Sequence, residues 1–210
     1  MPKIINHAQR REEIAEVVFH LICEEGIKNA TVRAICRLGG FSTGVIAHYF
    51  SNQEELLAYV FEWHMEKIRV RLQMTLDQIR VSEEDRLELA IKTLLPGGIG
   101  QDPADDGQFS IGLWGFMSST PELEEKLRSG YKPLISLLAQ AIKRANDIPR
   151  TEAKNLATLI MSTIDGIWLH YNQNMINDNL LRKMARQLVG MASSRAMGSA
   201  SREKTRQSTG

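Results

Sequence analysis

Apolar residues recur along most of the chain three and four positions apart, and no stretch of useful length alternates apolar with polar, so the pattern is that of helices. From Arg10 to Glu25, Ile14, Val18, Leu21 and Ile22 fall at i, i+4, i+7 and i+8, one stripe of an amphipathic helix that Gly26 ends. A short segment opens at Thr31, whose hydroxyl is suited to capping the first turn. In it Ile35 and Leu38 share one face, while Arg33 and Arg37, at i and i+4, share another. Gly39 and Gly40 supply the left-handed backbone that ends a helix. Phe41 anchors the turn to the core, and Ser42 caps a second short helix. There Ile46 and Phe50 take one side, Gly44, Val45 and His48 lie roughly opposite, and Tyr49 is on the flank.

A long helix is predicted from Glu54 to about Ile79, with Leu57, Val60, Phe61, His64, Ile68 and Leu72 on one face. Ser82 and Asp85 open another that runs to about Leu95. Pro96 to Pro103 and the acidic residues beyond break the pattern and predict a loop. The segment from Gln108 to about Ser119 is apolar on nearly all sides and is expected to be buried. Thr120-Pro121-Glu122 is a helix start, and that helix continues to about Asn146, with Pro133 predicting a kink or a boundary near Tyr131. Two more helices follow, Thr151 to about Asn174 and Asn179 to Ala192. Residues 1–9 read as a loose arm and residues 193–210, small, polar and basic, as a disordered tail. The expected fold is all-α with about nine helices, divided as a three-helix N-terminal domain over residues 1–53 and a C-terminal helical domain over residues 54–192.

Two short helices meeting at a Gly-Gly turn match the helix-turn-helix, in which the N-terminal residues of the second helix meet base edges in the major groove. In spacing and residue type, T-V-R-x-I-x-R, then G-F-S-T-G-V-I-x-H-Y-F, then E-E-L-L resembles the DNA-binding domain of TetR-family transcriptional regulators, and S-T-G-x-I-x-H-Y-F is most similar to the BetI-like branch, whose namesake is a repressor of choline-to-betaine genes. The expected DNA-binding residues are Thr31, Arg33, Arg37, Ser42, Thr43, Gly44, Val45, His48, Tyr49 and Gln53. Two departures stand out: Gln53 replaces a Lys common in the family, removing one phosphate contact, and Ala47 replaces an aromatic. The resemblance implies a connecting helix from Glu54 that transmits ligand binding, a homodimer formed through the last two helices, a palindromic or pseudo-palindromic double-stranded DNA operator, and a small-molecule inducer that releases a repressor. Within the C-terminal domain, Phe61, His64, Trp114, Phe116, Met117, Tyr131, Asp165 and Trp168 are the candidate inducer-binding residues. Should the resemblance extend to ligand, aromatic faces would hold a quaternary ammonium by cation–π attraction, with Asp165 adding charge.

Composition narrows the picture. With 210 residues and 43% hydrophobic content the chain can bury a real core. Its longest apolar run, LATLIMSTIDGIWL, is interrupted by Asp165 and falls short of the ~20 residues that span a bilayer. No membrane association is expected, and in the absence of a signal-peptide pattern the expected location is cytoplasmic. Cys23 and Cys36 read as buried thiols. In the first 60 residues six cations (Lys3, Arg10, Arg11, Lys28, Arg33, Arg37) face seven glutamates (Glu12, Glu13, Glu16, Glu24, Glu25, Glu54, Glu55), so DNA binding has to rest on a few placed groups.

Decoys are weak. Gly40-Phe41-Ser42-Thr43-Gly44 spells the G-x-S-x-G elbow of hydrolases, but that motif needs a preceding strand, and here a helix precedes it. His20 and Cys23 lack a second pair that would complete a metal site. Neither a cofactor nor an enzymatic activity is expected. The alternative to a regulator is a helical small-molecule-binding or interaction protein with an inactive DNA-binding head.

Overall fold

The computed structural model describes residues 6–98, 109 and 112–193. Among them the chain forms α-helices, one short 3-10 turn at Ile27–Asn29 and no strand, in keeping with the all-α expectation. In chain order the helices are α1 (His7–Glu25), α2 (Val32–Gly39), α3 (Thr43–Tyr49), α4 (Gln53–Leu76), α5 (Glu83–Leu94), α6 (residues 112–117), α7 (Pro121–Ala145), α8 (Arg150–Asn172) and α9 (Asp178–Ser193). None is long and apolar enough to cross a membrane among the described residues, and no cluster of His, Cys, Asp or Glu there could hold a metal. Lys3, most of the loop from Pro96 to Pro103, Ile111 and the tail from residue 194 lie outside the described residues.

Compactness divides the chain into two units that differ from a cut at residue 53. The first joins Met1–Lys67 to Gln101–Tyr131, and the second joins Ile68–Gly100 to Lys132–Gly210. The second cut falls beside Pro133, yet α7 is continuous through that proline. The sequence allowed a kink or a boundary there, and the helix does not end.

In the first unit α1 buries Ile14, Ala15, Val18, Phe19, Leu21, Ile22 and Cys23, a wider stripe than the periodicity alone marks. The helix begins three residues earlier than expected. Asn6 Oδ1 accepts from the backbone N–H groups of Ala8 and Gln9, so the last residues of the expected loose arm are helical. An aromatic cluster sits at the core: Phe19 stacks on His64 with centroids 5.0 Å apart, and Phe109 lies 4.6 Å from each. Such pairs contribute roughly 0.5–1.5 kcal/mol each beyond their burial. Two apolar residues expected inside are outside: Leu38 is 53% exposed and Trp114, on the short α6, is 48% exposed.

In the second unit polar groups that helix ends and interiors would otherwise leave unpaired are tied off. The Trp168 indole N–H donates to the carbonyl of Leu94, at the last turn of α5, at 2.9 Å. Asn146, buried just past α7, donates from Nδ2 to the carbonyls of Ile142 (2.9 Å) and Ala192 (2.8 Å), the latter in the last turn of α9. The hydroxyls of Thr75 and Thr93 meet at 3.1 Å, one donating to the other, and the carbonyls of Arg71 (3.0 Å from Thr75 Oγ1) and Leu89 (2.8 Å from Thr93 Oγ1) are within reach of the remaining proton. Outward-facing apolar side chains remain on α8 and α9: Leu159 (47% exposed), Leu169, Leu180 and Met191.

Candidate nucleic-acid interface

The two short helices of the motif are set by caps at both starts and by two glycines between them. Thr31 Oγ1 accepts from the Ala34 N–H at 3.3 Å, and Ser42 Oγ accepts from the Val45 N–H at 3.2 Å. Gly40 has φ 67°, a left-handed conformation that closes α2 at little cost only without a side chain. Gly39 is required for space, since a Cβ there would lie 2.3 Å from Phe41 Cε2. Ser42 therefore sits between two helices and spends its hydroxyl as a cap, which disposes of the hydrolase elbow.

On α3 only Ile46 is buried. Thr43, Gly44, Ala47 and His48 are exposed together, the i, i+1, i+4 and i+5 positions of one face, while Val45 and Tyr49 are half-buried at its edges. Ser42 at the cap and Thr31 at the start of α2 are exposed as well. A Cβ at Gly44 would meet nothing nearer than Ser42 Oγ at 3.8 Å. The face is thus low and open, the shape needed to enter a groove. Arg33 and Arg37 on α2 are exposed and make no ion pair among the described residues, which leaves both guanidinium groups available to phosphate. Gln53 is otherwise engaged: its Nε2 donates to the Ala30 carbonyl at 2.9 Å, fastening the start of α4 to the turn before α2.

The other cations of this unit work inside the fold. Arg10 pairs with Glu13 at 2.7 Å and lies 6.0 Å over the Phe41 ring. The Arg11 guanidinium lies 4.6 Å over Phe50 and 4.5 Å over Tyr59, with Glu55 at 3.6 Å. Burial raises the Tyr59 hydroxyl above the ordinary tyrosine value, opposed by the Arg11 charge. Glu55 in turn caps α4: its carboxylate accepts from the Ser51 N–H at 2.8 Å, while its own N–H donates to Asn52 Oδ1 at 2.7 Å. The Ser51 backbone N–H is the main reason its carboxyl is held below the usual glutamate range, and Arg11 adds to it. Periodicity gave no sign of His7, whose Nδ1 lies 3.0 Å from the Tyr49 hydroxyl. The signal was local: Asn6 is a good N-cap, and recognising it would have started α1 at His7.

The residues expected to bind an inducer are distributed over both units. Phe61, His64 and Met117 are buried in the first, where His64 is stacked against Phe19 and Phe109. Phe116 and Tyr131 are half-buried, and the Trp114 indole N–H donates to the Tyr131 hydroxyl at 3.1 Å. Asp165 is half-buried and Trp168 buried on α8 of the second unit, with the Trp168 N–H committed to Leu94.

Comparison with known proteins bears on both units. The family described as bacterial regulatory proteins, tetR family, matches residues 14–60, the stretch that builds α2, α3 and the flanking parts of α1 and α4. The transcriptional regulator PksA of Bacillus subtilis (strain 168) is 36% identical over 96 residues, 46% of this chain and 40% of PksA, so that match spans less than half of either protein. BetI, an HTH-type transcriptional regulator of Escherichia coli O45:K1 (strain S88 / ExPEC), is 26% identical over 172 residues, covering 80% of this chain and 85% of BetI. A solved structure of a regulator from Saccharomonospora viridis in complex with choline superposes with a TM-score of 0.70 at 18% identity, over 86% of this chain and 94% of that one, and so shares the fold. Over residues 14–60 the chain is similar to the tetR family of bacterial regulatory proteins, and over most of its length it is similar to BetI.

Proposed function

We infer that the protein is a sequence-specific DNA-binding transcriptional regulator that represses its target until a small molecule releases it. The single observation that carries the DNA-binding part is the exposed face of α3: Thr43, Gly44, Ala47 and His48 stand clear of the core on a helix capped by Ser42, with Arg33 and Arg37 exposed on the helix before it. The small residues admit base edges, His48 and Tyr49 supply hydrogen-bonding groups, and the two arginines with Thr31 hold the backbone.

A homodimer follows from the reach of one such helix, which touches too few base pairs for useful specificity. Two copies related by a two-fold axis read half-sites about 34–36 Å apart, or a multiple of that. The apolar side chains that α8 and α9 leave outward, Leu159, Leu169, Leu180 and Met191, favour these two helices as the dimer surface. For the inducer, Trp114 and Tyr131 are the favoured aromatic pair, since they are hydrogen-bonded to each other and retain solvent access, whereas Phe61, His64 and Met117 serve packing. That a regulator of the same fold holds choline is consistent with a small organic ligand in this chain.

A gel-shift titration of the purified protein against a duplex spanning its own gene's upstream region tests the reading. The expected result is a sequence-selective, salt-sensitive complex at or below micromolar protein, with dimeric protein by analytical ultracentrifugation. Protein that is folded yet forms no selective complex would sink the repressor reading in favour of a helical interaction protein.

A further inference from the structure

Both ends of α3 are gripped by the opening turns of α1. A seven-residue helix with one buried side chain cannot fix its own orientation. Arg10 lies over Phe41, just before α3, and Arg11 over Phe50, just after it. His7 alone bonds to a residue of α3 itself: Nδ1 to the Tyr49 hydroxyl at 3.0 Å, with the rings 5.7 Å apart, and its ring centroid lies 6.0 Å from that of His48. His7 is exposed and Tyr49 half-buried, so this bond lies at the rim of the α3 face and outside the core. Arg10 and Arg11 have glutamate partners; the bonded partner of His7 is a neutral hydroxyl.

We propose that His7 is a positioning residue for DNA binding, which donates its Nδ1 proton to the Tyr49 oxygen and thereby leaves the tyrosine hydroxyl proton for a phosphate oxygen. A tyrosine hydroxyl carries one proton. Were Tyr49 the donor to His7, its oxygen would meet DNA with lone pairs only and repel a phosphate. With His7 as the donor, the tyrosine oxygen has its acceptor role filled and its proton directed outward, and the phenol ring is pinned at the end of α3. The proposal rests on the reading of α3 as the DNA-facing helix.

The test starts from a duplex enriched by the wild-type protein from a random-sequence pool, so that no operator need be assumed. Affinity is measured by fluorescence anisotropy for wild type, His7→Ala, Tyr49→Phe, the double variant and His7→Asn, whose amide N–H reaches the place of Nδ1. Hydrogen bonds to charged groups lead us to expect losses of about tenfold for His7→Ala and for Tyr49→Phe. The double variant should be no weaker than the weaker single, and His7→Asn should recover most of the loss, with melting temperatures unchanged. Wild-type affinity in His7→Ala, additive losses in the double variant, or no recovery in His7→Asn would overturn the proposal while leaving the DNA-binding reading intact. A wild-type protein that enriches no sequence would overturn both.

Discussion

Replacing Gly44 with Glu should separate DNA binding from stability more cleanly than any other single change. The site has room: a Cβ there touches only Ser42 Oγ, at 3.8 Å, and Gly44 does not adopt the left-handed backbone seen at Gly40. Removing a glycine from a helix gains about 0.5–1 kcal/mol relative to alanine. A carboxylate in the first turn adds about 0.3–1 kcal/mol through the helix dipole. The folded state should therefore be unchanged or modestly stabilised, and for a chain of this size 1 kcal/mol is about 2–4 °C in Tm. The effect on DNA runs the other way. The new side chain fills the lowest part of the α3 face and places a negative charge against the duplex, and unfavourable charge juxtaposition at an interface costs several kcal/mol. At 1.4 kcal/mol per decade, a loss of about 100-fold or more is expected. Anisotropy with the upstream duplex and a thermal melt of the same preparation read the two quantities side by side. Affinity within about threefold of wild type would show that this face does not meet DNA. A fall in Tm matching the loss of binding would show that Gly44 is structural.

Three further outcomes follow from the same geometry. Arg11→Ala removes the guanidinium from the faces of Phe50 and Tyr59, contacts worth about 0.5–2 kcal/mol each, and should lower the denaturation midpoint measurably while Arg11→Lys keeps part of it. The Glu55 carboxyl is held below its unfolded value of 4.5 by the Ser51 N–H, so its contribution is present above that pH and is lost as pH falls through the lower folded value; Glu55→Gln should flatten the acid limb of a Tm-against-pH curve. Asn146→Ala removes the buried donor to the Ala192 carbonyl, while the Ile142 carbonyl keeps the backbone N–H of residue 146, and should destabilise by about 1–3 kcal/mol in a urea titration, with operator affinity per folded protein unaltered.

Much of the head was legible because its punctuation is chemical. Thr31, Gly40 and Ser42 suit caps and a left-handed turn, and the structure uses them so, whereas Gly39 closes α2 with helical backbone and makes room for Phe41. What failed to show is long-range. Nothing in the spacing of the basic residues distinguishes Arg33, which is exposed, from Arg11, which lies over two rings supplied by residues about 40 and 50 positions away. The resemblance puts Gln53 on the DNA side, whereas its amide donates to the Ala30 carbonyl. The body was harder still, because large apolar residues there fit a core and a pocket equally well; Trp114 proved half-exposed and Met117 fully buried although they lie three apart on the same short segment. The compact units also escaped the pattern, since periodicity runs unbroken through α4 and α7 while the packing changes partner at residues 67 and 131.

That interruption has a consequence for how the chain comes off the ribosome. The unit that carries α2 and α3 takes its first helix from α1, but one ring of its aromatic core, Phe109, is 90 positions after Phe19 and 45 after His64. Until that residue has been synthesised, the stacked Phe19 and His64 rings lack the third ring that packs on both, and the nascent head carries an open apolar seam. The first 67 residues are therefore a poor choice for an isolated fragment, and synthesis pauses between residues 67 and 131 would leave the nascent chain most in need of a chaperone.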